Sequence, residues 1–493
     1  MVAPIVYPSS SFGAVFHILS MLVMLFSLTF SVPLAFGFFD QDAAKDAFVL
    51  GGWITFSTGL VGFFLTKRHK RELQPRDGFL LVGLVWVTLA FFAALPIWFF
   101  LHELDFTHAF FETISALTTT GATALSGLDQ MPRSILIWRS LLQWFGGMGI
   151  LVLAVAILPL LGVGGMQIYR AETPGPMKES KLTPRIAETA KGFWGLYLLF
   201  TTACVLSYWA AGMNWFDAVV HAGTTMSIGG LSSYDASIGH FQNPMIELVA
   251  IVFMMVAGVN FAVHFSAIRR MSWVPYRHCP EARYFVLAIG VSVLVVAALL
   301  WARGVYEDPL QALRHAAFNV VSIGTTTGYA TQDYASWPAF APWLMVLLSA
   351  FATSSNSTGG GIKMIRLVIM AKLAKQELQR IIHPRSVNPV QLDQSTVSQT
   401  VIFSILAFML FYGATVMVAT FLLLLSGMHD VTAISAVLAC INNLGPGLGA
   451  VGPAANYGAL TNFQLWVLSA TMLLGRLELL TLIVVVAPAF WRK

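Results

Sequence analysis

The sequence predicts an all-α polytopic membrane protein: four fused helix–re-entrant loop–helix units behind an N-terminal two-helix hairpin. Three observations predict this. The 493-residue chain is 57% hydrophobic and only 10% charged, against about 25% charged in ordinary soluble proteins. Stretches such as 192–213 and 401–427 run without a charge, long enough to cross a hydrocarbon core of about 30 Å. One short tract is written four times, as LTTTGAT (117–123), MSIGGLSS (226–233), GTTTGYAT (324–331) and INNLGPGL (441–448). With Gly121, Gly230, Gly328 and Gly445 as equivalent points, the residue twelve places earlier is alanine each time: Ala109, Ala218, Ala316 and Ala433. The glycines lie 109, 98 and 117 residues apart, so the chain is an internal repeat.

Residues 1–75 form the hairpin, with helices over 11–38 and 46–66. The first repeat (76–166) opens with 77–101, descends through HAFFETISAL to its tract and returns through the glycine-rich 134–166. Small residues there let helices approach closely. Residues 167–275 hold a loop (167–191, five basic residues and three prolines) and the second repeat, which uses 192–213, a descent from Asp217 and a return through 244–268. The third (276–385) uses 284–303, a descent from His315 and an interrupted return over 340–371. The fourth (386–493) uses 398–427, a descent from Thr432 and a return over 462–490. That makes ten spanning helices and four half-length re-entrant ones.

Basic residues cluster at 67–76, 170–191, 269–283, 363–385 and the terminal WRK. The positive-inside rule puts these loops and both termini in the cytoplasm, and topology rather than nucleic acid accounts for them. The apolar stretch from Phe12 has no basic run before it, so it is a retained helix rather than a signal peptide. Cys204, Cys279 and Cys440 lie far apart and form neither a disulfide framework nor a zinc site.

Irregular backbone at membrane depth is tolerated only where it lines a watery path or is buried in protein. The four tracts therefore point to a cation pathway. Its candidate ligands are the backbones of Thr119, Thr120, Gly121, Ile228, Gly229, Gly230, Thr326, Thr327, Gly328, Asn443, Leu444 and Gly445. Rings of carbonyl oxygens replace the water shell of a monovalent cation, and the C-terminal dipole end of each half-helix favours positive charge. Asp129, Asp235 and Asp333 follow the tracts and are expected to form an acidic outer vestibule. Gly447-x-Gly449-x-x-Gly452 fits a dinucleotide fingerprint, but it lacks the βαβ unit that the motif needs.

In FATSSNSTGGGIKMIRL (351–367), six hydroxyl or amide residues precede three glycines. Glycine costs about 1 kcal/mol per residue in a helix, so this is a break. The loop Thr353, Ser354, Ser355, Asn356, Ser357, Thr358, Gly359, Gly360 and Gly361 is expected to act as a gate below the filter. Arg476 and Glu478 stand in apolar surroundings, where a charge is by default functional. Arg476 is expected to face the pathway as an electrostatic barrier, with a structural ion pair as the competing role. Glu112 and Arg139 are expected to pair and brace the first loop. Asn260 and His264 are expected to be packing or hydrogen-bonding residues.

Taken together, TTTGAT, SIGG, TTTGY, NNLGPGLG, LQWFGGMGI, GVGGMQIYRAE, STGGGIK and GRLE resemble the Trk/Ktr/HKT superfamily of potassium transporters, most closely its TrkH-type bacterial members. The resemblance spans nearly the whole chain. It implies four repeats around a pseudo-fourfold pore in the bacterial inner membrane, with Gly121, Gly230, Gly328 and Gly445 as the filter glycines. Glycine rather than serine at Gly121 goes, in that family, with potassium over sodium. The resemblance maps the gating loop onto Thr353–Gly361 and the pore arginine onto Arg476. It also implies a homodimer and a cytoplasmic nucleotide-binding regulatory subunit (TrkA-like), with K⁺ as the transported ion and no cofactor in this chain. ATSSNS stands here where the family carries a glycine-rich GGCAGS.

The expected function is thus potassium uptake through a gated filter. The nearest rival is a potassium symporter coupled to H⁺ or Na⁺; the lack of a chain of membrane acids or histidines disfavours proton coupling. An integral-membrane enzyme would need a motif such as HExxH, GxSxG or GxxxxGK, and none is present. Fourfold rather than twofold repetition argues against a carrier for larger solutes.

Overall fold

A computed structural model describes residues 12–69, 73–149, 186–384, 389–392, 395–477 and 479–491. The end of the first return (150–166), most of the 167–191 segment and Glu478 lie outside the described residues. Within them the one sheet is an antiparallel ribbon pairing Gln391–Leu392 with Ser395–Thr396.

Among the described residues six helices are long and apolar enough to cross a membrane: Gly13–Phe39, Lys45–His69, Arg76–Phe100, Lys191–Ala210, Pro280–Ala302 and Gln399–Leu425. They are the hairpin and the opening helix of each repeat. Polar side chains start two of them: Gln74 and Asp77 cap the third reciprocally, and Ser398 caps the last.

Each opening helix leads into a short one: Phe106–Leu117, Trp215–Met226, Pro309–Gly324 and Asp430–Ile441. Twelve residues rise about 18 Å and the sixteen of the third about 24 Å, short of a hydrocarbon core of about 30 Å. Asn214 and Asp308 cap the second and third, accepting from Asp217 N at 2.9 Å and Leu310 N at 3.0 Å. The inner turns of all four are buried.

The return helices correct one expectation. A break is expected in the third return alone, yet the second and fourth are broken too. Pro244–Gly258 and Phe261–Arg270 meet at 96°, and the fourth return divides into Asn462–Arg476 and Leu480–Val486. So 244–268 and 462–490 are not continuous spans. Asn260 starts the second segment by capping Ala262 N at 2.9 Å. The break orphans the Gly258 carbonyl and the Phe261 N–H, and the polar loop of the third return takes both. Ser354 N donates to Gly258 O at 3.1 Å, and Phe261 N to Asn356 O at 3.0 Å. His264 bridges Val256 O and the Tyr276 hydroxyl, the hydrogen-bonding role expected of it.

A polar side chain on each half-helix ties down the strand that follows its tract. In repeat 1 the expected pair forms: Arg139 Nε donates to the buried Glu112 at 2.7 Å, and Glu112 also accepts from Ala124 N at 2.8 Å. Arg139 reaches on to Ser232 O at 3.0 Å, joining repeats 1 and 2. Asp217 accepts from Ser233 and Tyr234, Asn319 pairs with Thr331, and Ser435 accepts from Leu448 N. Removing one member of a buried ion pair costs about 3–5 kcal/mol. Arg139→Met is therefore expected to lower the unfolding midpoint of the detergent-solubilised protein. Glu112→Leu added to it recovers part of the loss, measurable by thermal unfolding.

Candidate ion pathway

All four half-helices end in the same hydrogen-bonded turn. The residue before each key glycine donates to the carbonyl five positions back: Thr120 to Ser115, Gly229 to Thr224, Thr327 to Ser322 and Leu444 to Ala439, at 2.8, 2.9, 2.8 and 2.8 Å. The residue before that donates three positions back, which completes a Schellman cap. Its left-handed position falls on Thr119 (φ 56°), Ile228 (54°), Thr326 (66°) and Asn443 (53°). Glycine is the usual occupant, and a β-branched residue there stores about 1–3 kcal/mol of strain. The key glycines follow at φ 79°, 74°, 87° and 95°, while the residue between each pair keeps a negative φ.

The tracts close on one another in cyclic order. A methyl group added at Gly121 would sit 1.9 Å from Gly229 O; at Gly230, 1.9 Å from Thr327 O; at Gly328, 2.2 Å from Leu444 O; at Gly445, 2.7 Å from Thr120 O. Each glycine thus abuts the carbonyl preceding the next repeat's glycine, and the fourth returns to the first. Asn443 Nδ2 strengthens that closure by donating to Thr120 Oγ1 at 2.9 Å. Thr119 Oγ1 and Asn443 Oδ1 are buried without a hydrogen-bond partner.

On the side toward which the chain leaves the glycines lies a cavity of about 310 Å³, bordered by Gly121, Gly230, Gly328 and Asp235. Of Asp129, Asp235 and Asp333, the acids expected to form a vestibule, Asp235 alone borders it, and its carboxylate accepts from Gly127 N and Leu128 N at 2.9 and 3.2 Å. Asp129 lies beside it, 3.9 Å from His240, and Asp333 caps the turn at Ala335.

On the opposite side the return helices press glycines against the half-helix ends. Methyl groups at Gly146, Gly360 and Gly475 would lie 1.9, 1.9 and 2.1 Å from the carbonyls of Leu117, Asn442 and Ile441. The polar loop of the third return sits here. Gly360 N donates to Thr326 Oγ1 at 2.9 Å, Thr358 Oγ1 to Met226 O at 3.0 Å, and Thr353 Oγ1 to Gly360 O at 2.7 Å. Ser355 is bonded through N and Oγ to Glu281, while Asn356 and Ser357 are half-buried. Arg476 donates to Thr358 O at 3.0 Å and to the Gly146 and Gly147 carbonyls. It therefore joins repeats 1, 3 and 4 at this level.

Three polar residues that sequence reasoning passed over belong to the same constellation. Tyr457 donates to Gly445 O at 2.7 Å, Tyr329 to His221 O at 3.1 Å, and Gln143 Nε2 to Gly229 O at 2.7 Å. Only Gln143 carried a usable signal, as a lone amide in a buried helix. The loop depends on the Thr326 hydroxyl, since Thr326→Val leaves Gly360 N–H buried without an acceptor, at a cost of about 1–3 kcal/mol. Amide hydrogen exchange across 353–361 is expected to accelerate about tenfold or more in that variant.

Comparison with known proteins bears on this arrangement. The TrkH family model, described as a cation transport protein, matches residues 44–493. The Trk system potassium uptake protein TrkH of Halomonas elongata is 43% identical over 484 residues, covering 98% of this chain and 100% of the relative. The TrkH protein of Escherichia coli strain K12 is 42% identical over 485 residues, with the same coverage. The crystal structure of the potassium transporter TrkH from Vibrio parahaemolyticus superposes with a TM-score of 0.88 at 41% identity, covering 98% of this chain and 100% of that one. With a family match over almost its whole length and relatives this similar, the chain belongs to the TrkH family of cation transport proteins.

Proposed function

We propose that this protein takes up potassium across the bacterial cytoplasmic membrane, and that the ion passes through the ring formed by its four glycine tracts. The observation that carries this is the cyclic closure of Gly121, Gly230, Gly328 and Gly445, each against the next repeat's backbone carbonyl. A bare K⁺ loses its hydration shell on entering hydrocarbon, and inward carbonyl oxygens replace those water ligands. Four half-helix C-termini converge beside the ring, and each contributes about half a negative charge. The buried, unpartnered oxygens of Thr119 and Asn443 fit a cation held just inside it. The relatives are named potassium uptake proteins of a Trk system.

Ions enter past Asp235, whose negative charge raises their local concentration. Asp129 and Asp333 lie farther along the same outer loops. On the inner side, Thr353–Gly361 is the gate. Its shut position is held by backbone bonds to the break in the second return and by Thr326. Arg476 keeps a fixed positive charge beside that gate, so a cation leaving the ring meets an electrostatic barrier that relaxes only when the loop and the arginine move together. Both termini lie in the cytoplasm, the protein works as a homodimer, and a cytoplasmic nucleotide-binding subunit drives the gate.

Ion flux in proteoliposomes tests this, with potassium, rubidium and sodium measured with and without a proton gradient. The intact chain should pass potassium and rubidium well ahead of sodium, with no dependence on the proton gradient. Gly121→Ser should admit sodium, because its Cβ meets Gly229 O and spreads the ring. Sodium passing the intact chain as fast as potassium would sink the selectivity assignment, and unchanged selectivity in Gly121→Ser would sink the ring itself. Arg476→Ala should raise potassium flux; a folded variant with equal or lower flux would remove the barrier role.

A further inference from the structure

The four tracts are not chemically equal at the residue just before the glycine, and the difference exposes a positioning residue. In repeats 1 and 3 this residue is a threonine whose hydroxyl pairs with the threonine two places earlier: Thr120 with Thr118 and Thr327 with Thr325, both at 2.8 Å. In repeat 4 it is Leu444, fully buried in the apolar core. Each of these side chains fixes the tilt of its own peptide plane. Repeat 2 has Gly229 there, directly before Gly230, so this strand has no side chain to hold it. Two successive glycines make the most pliable backbone of the four.

The missing side chain is supplied from repeat 1. Gln143, on the return helix Arg133–Gly147, is fully buried, and its carboxamide occupies the space a Gly229 side chain would take. A methyl group at Gly229 would lie 2.3 Å from Gln143 Cδ. Its Nε2 donates to Gly229 O at 2.7 Å and its Oε1 accepts from Leu231 N at 3.1 Å, so it straddles Gly230. A carbonyl only accepts and a backbone N–H only donates, so one orientation of the amide satisfies both. The carbonyl it holds is the one against which Gly121 closes the ring.

We propose that Gln143 is the selectivity-positioning residue of the second tract, holding the Gly229 carbonyl at the distance a dehydrated potassium ion requires. This rests on reading the glycine ring as the filter. Without the amide, the Gly229–Gly230 peptide is free to rotate or draw inward. The ring then also closes on the smaller sodium ion, while the other three tracts stay pinned by their own side chains.

The test is the ratio of sodium to potassium flux for the full chain in proteoliposomes. Gln143→Met and Gln143→Leu keep the helix and the volume but remove the donor and the acceptor. Both are expected to raise the ratio about tenfold or more, since the bond that holds Gly229 O is lost. Ser140→Ala is the structural control: it removes a buried bond of 2.7 Å from the same helix to Val220 O, on the half-helix before the same tract. It should lower thermal stability and leave the ratio unchanged. A normal ratio in both Gln143 variants, or a shift of equal size in Ser140→Ala, would overturn the assignment. So would failure of both Gln143 variants to assemble, since a positioning residue leaves the fold intact. Gly121→Ser, run in parallel, separates the two ideas. A selectivity change there with none at Gln143 removes Gln143 alone, and no change at Gly121 removes the filter.

Discussion

A backbone polar group inside a bilayer has no water to turn to, and leaving one unpaired costs several kcal/mol. The structure is organised around that constraint. Four half-helices are too short to cross a hydrocarbon core, and each leaves carbonyls that a continuing helix would have used. Schellman caps absorb some of them, in nearly the same geometry four times over. The rest face either the ring or the glycines of the return helices, which approach closely because they carry no Cβ. Further breaks are tolerated on the same terms. The loop of the third return is irregular, and so is the bend of the second, but each supplies the partners the other lacks.

Strain is stored where this accounting is tightest. Thr119, Ile228 and Thr326 are β-branched residues held in the left-handed region, where such side chains seldom sit. Two bonds back to the half-helix and a buried position over-determine each of them. Glycine at these positions would relieve the strain, but it would also free the peptide planes whose carbonyls close the ring. The arrangement favours a fixed backbone over a relaxed one.

The four repeats do one job with different chemistry. An ion pair braces the first tract, a carboxylate with two hydroxyls the second, an amide the third and a single serine the fourth. Only the first uses a full positive charge, and Arg139 is neutralised by Glu112. Arg476 differs in kind. From repeat 4 it donates to carbonyls of repeats 1 and 3, tying three repeats together at one level.

Composition and periodicity sufficed for the spans, the repeat and the key glycines. Hydrocarbon selects helices on apolar length alone, and a position that combines positive φ with a carbonyl 1.9 Å from where a Cβ would stand strongly favours glycine. The polar loop was legible for the same local reason, since six hydroxyl or amide residues and three glycines cannot stay helical in lipid. Pairing was a different matter. The break after Gly258 is held by groups about a hundred residues away, with Ser354 N on Gly258 O and Asn356 O on Phe261 N. Thr358 reaches Arg476 across 118 residues, and Thr120 reaches Asn443 across 323. Tyr329 and Tyr457 look like ordinary core residues until their hydrogen-bond partners are in place. Which carbonyls close the ring, and which side chains steady them, was decided by tertiary contact, because a hydrogen bond depends on where two groups meet and the composition around either one does not reveal it.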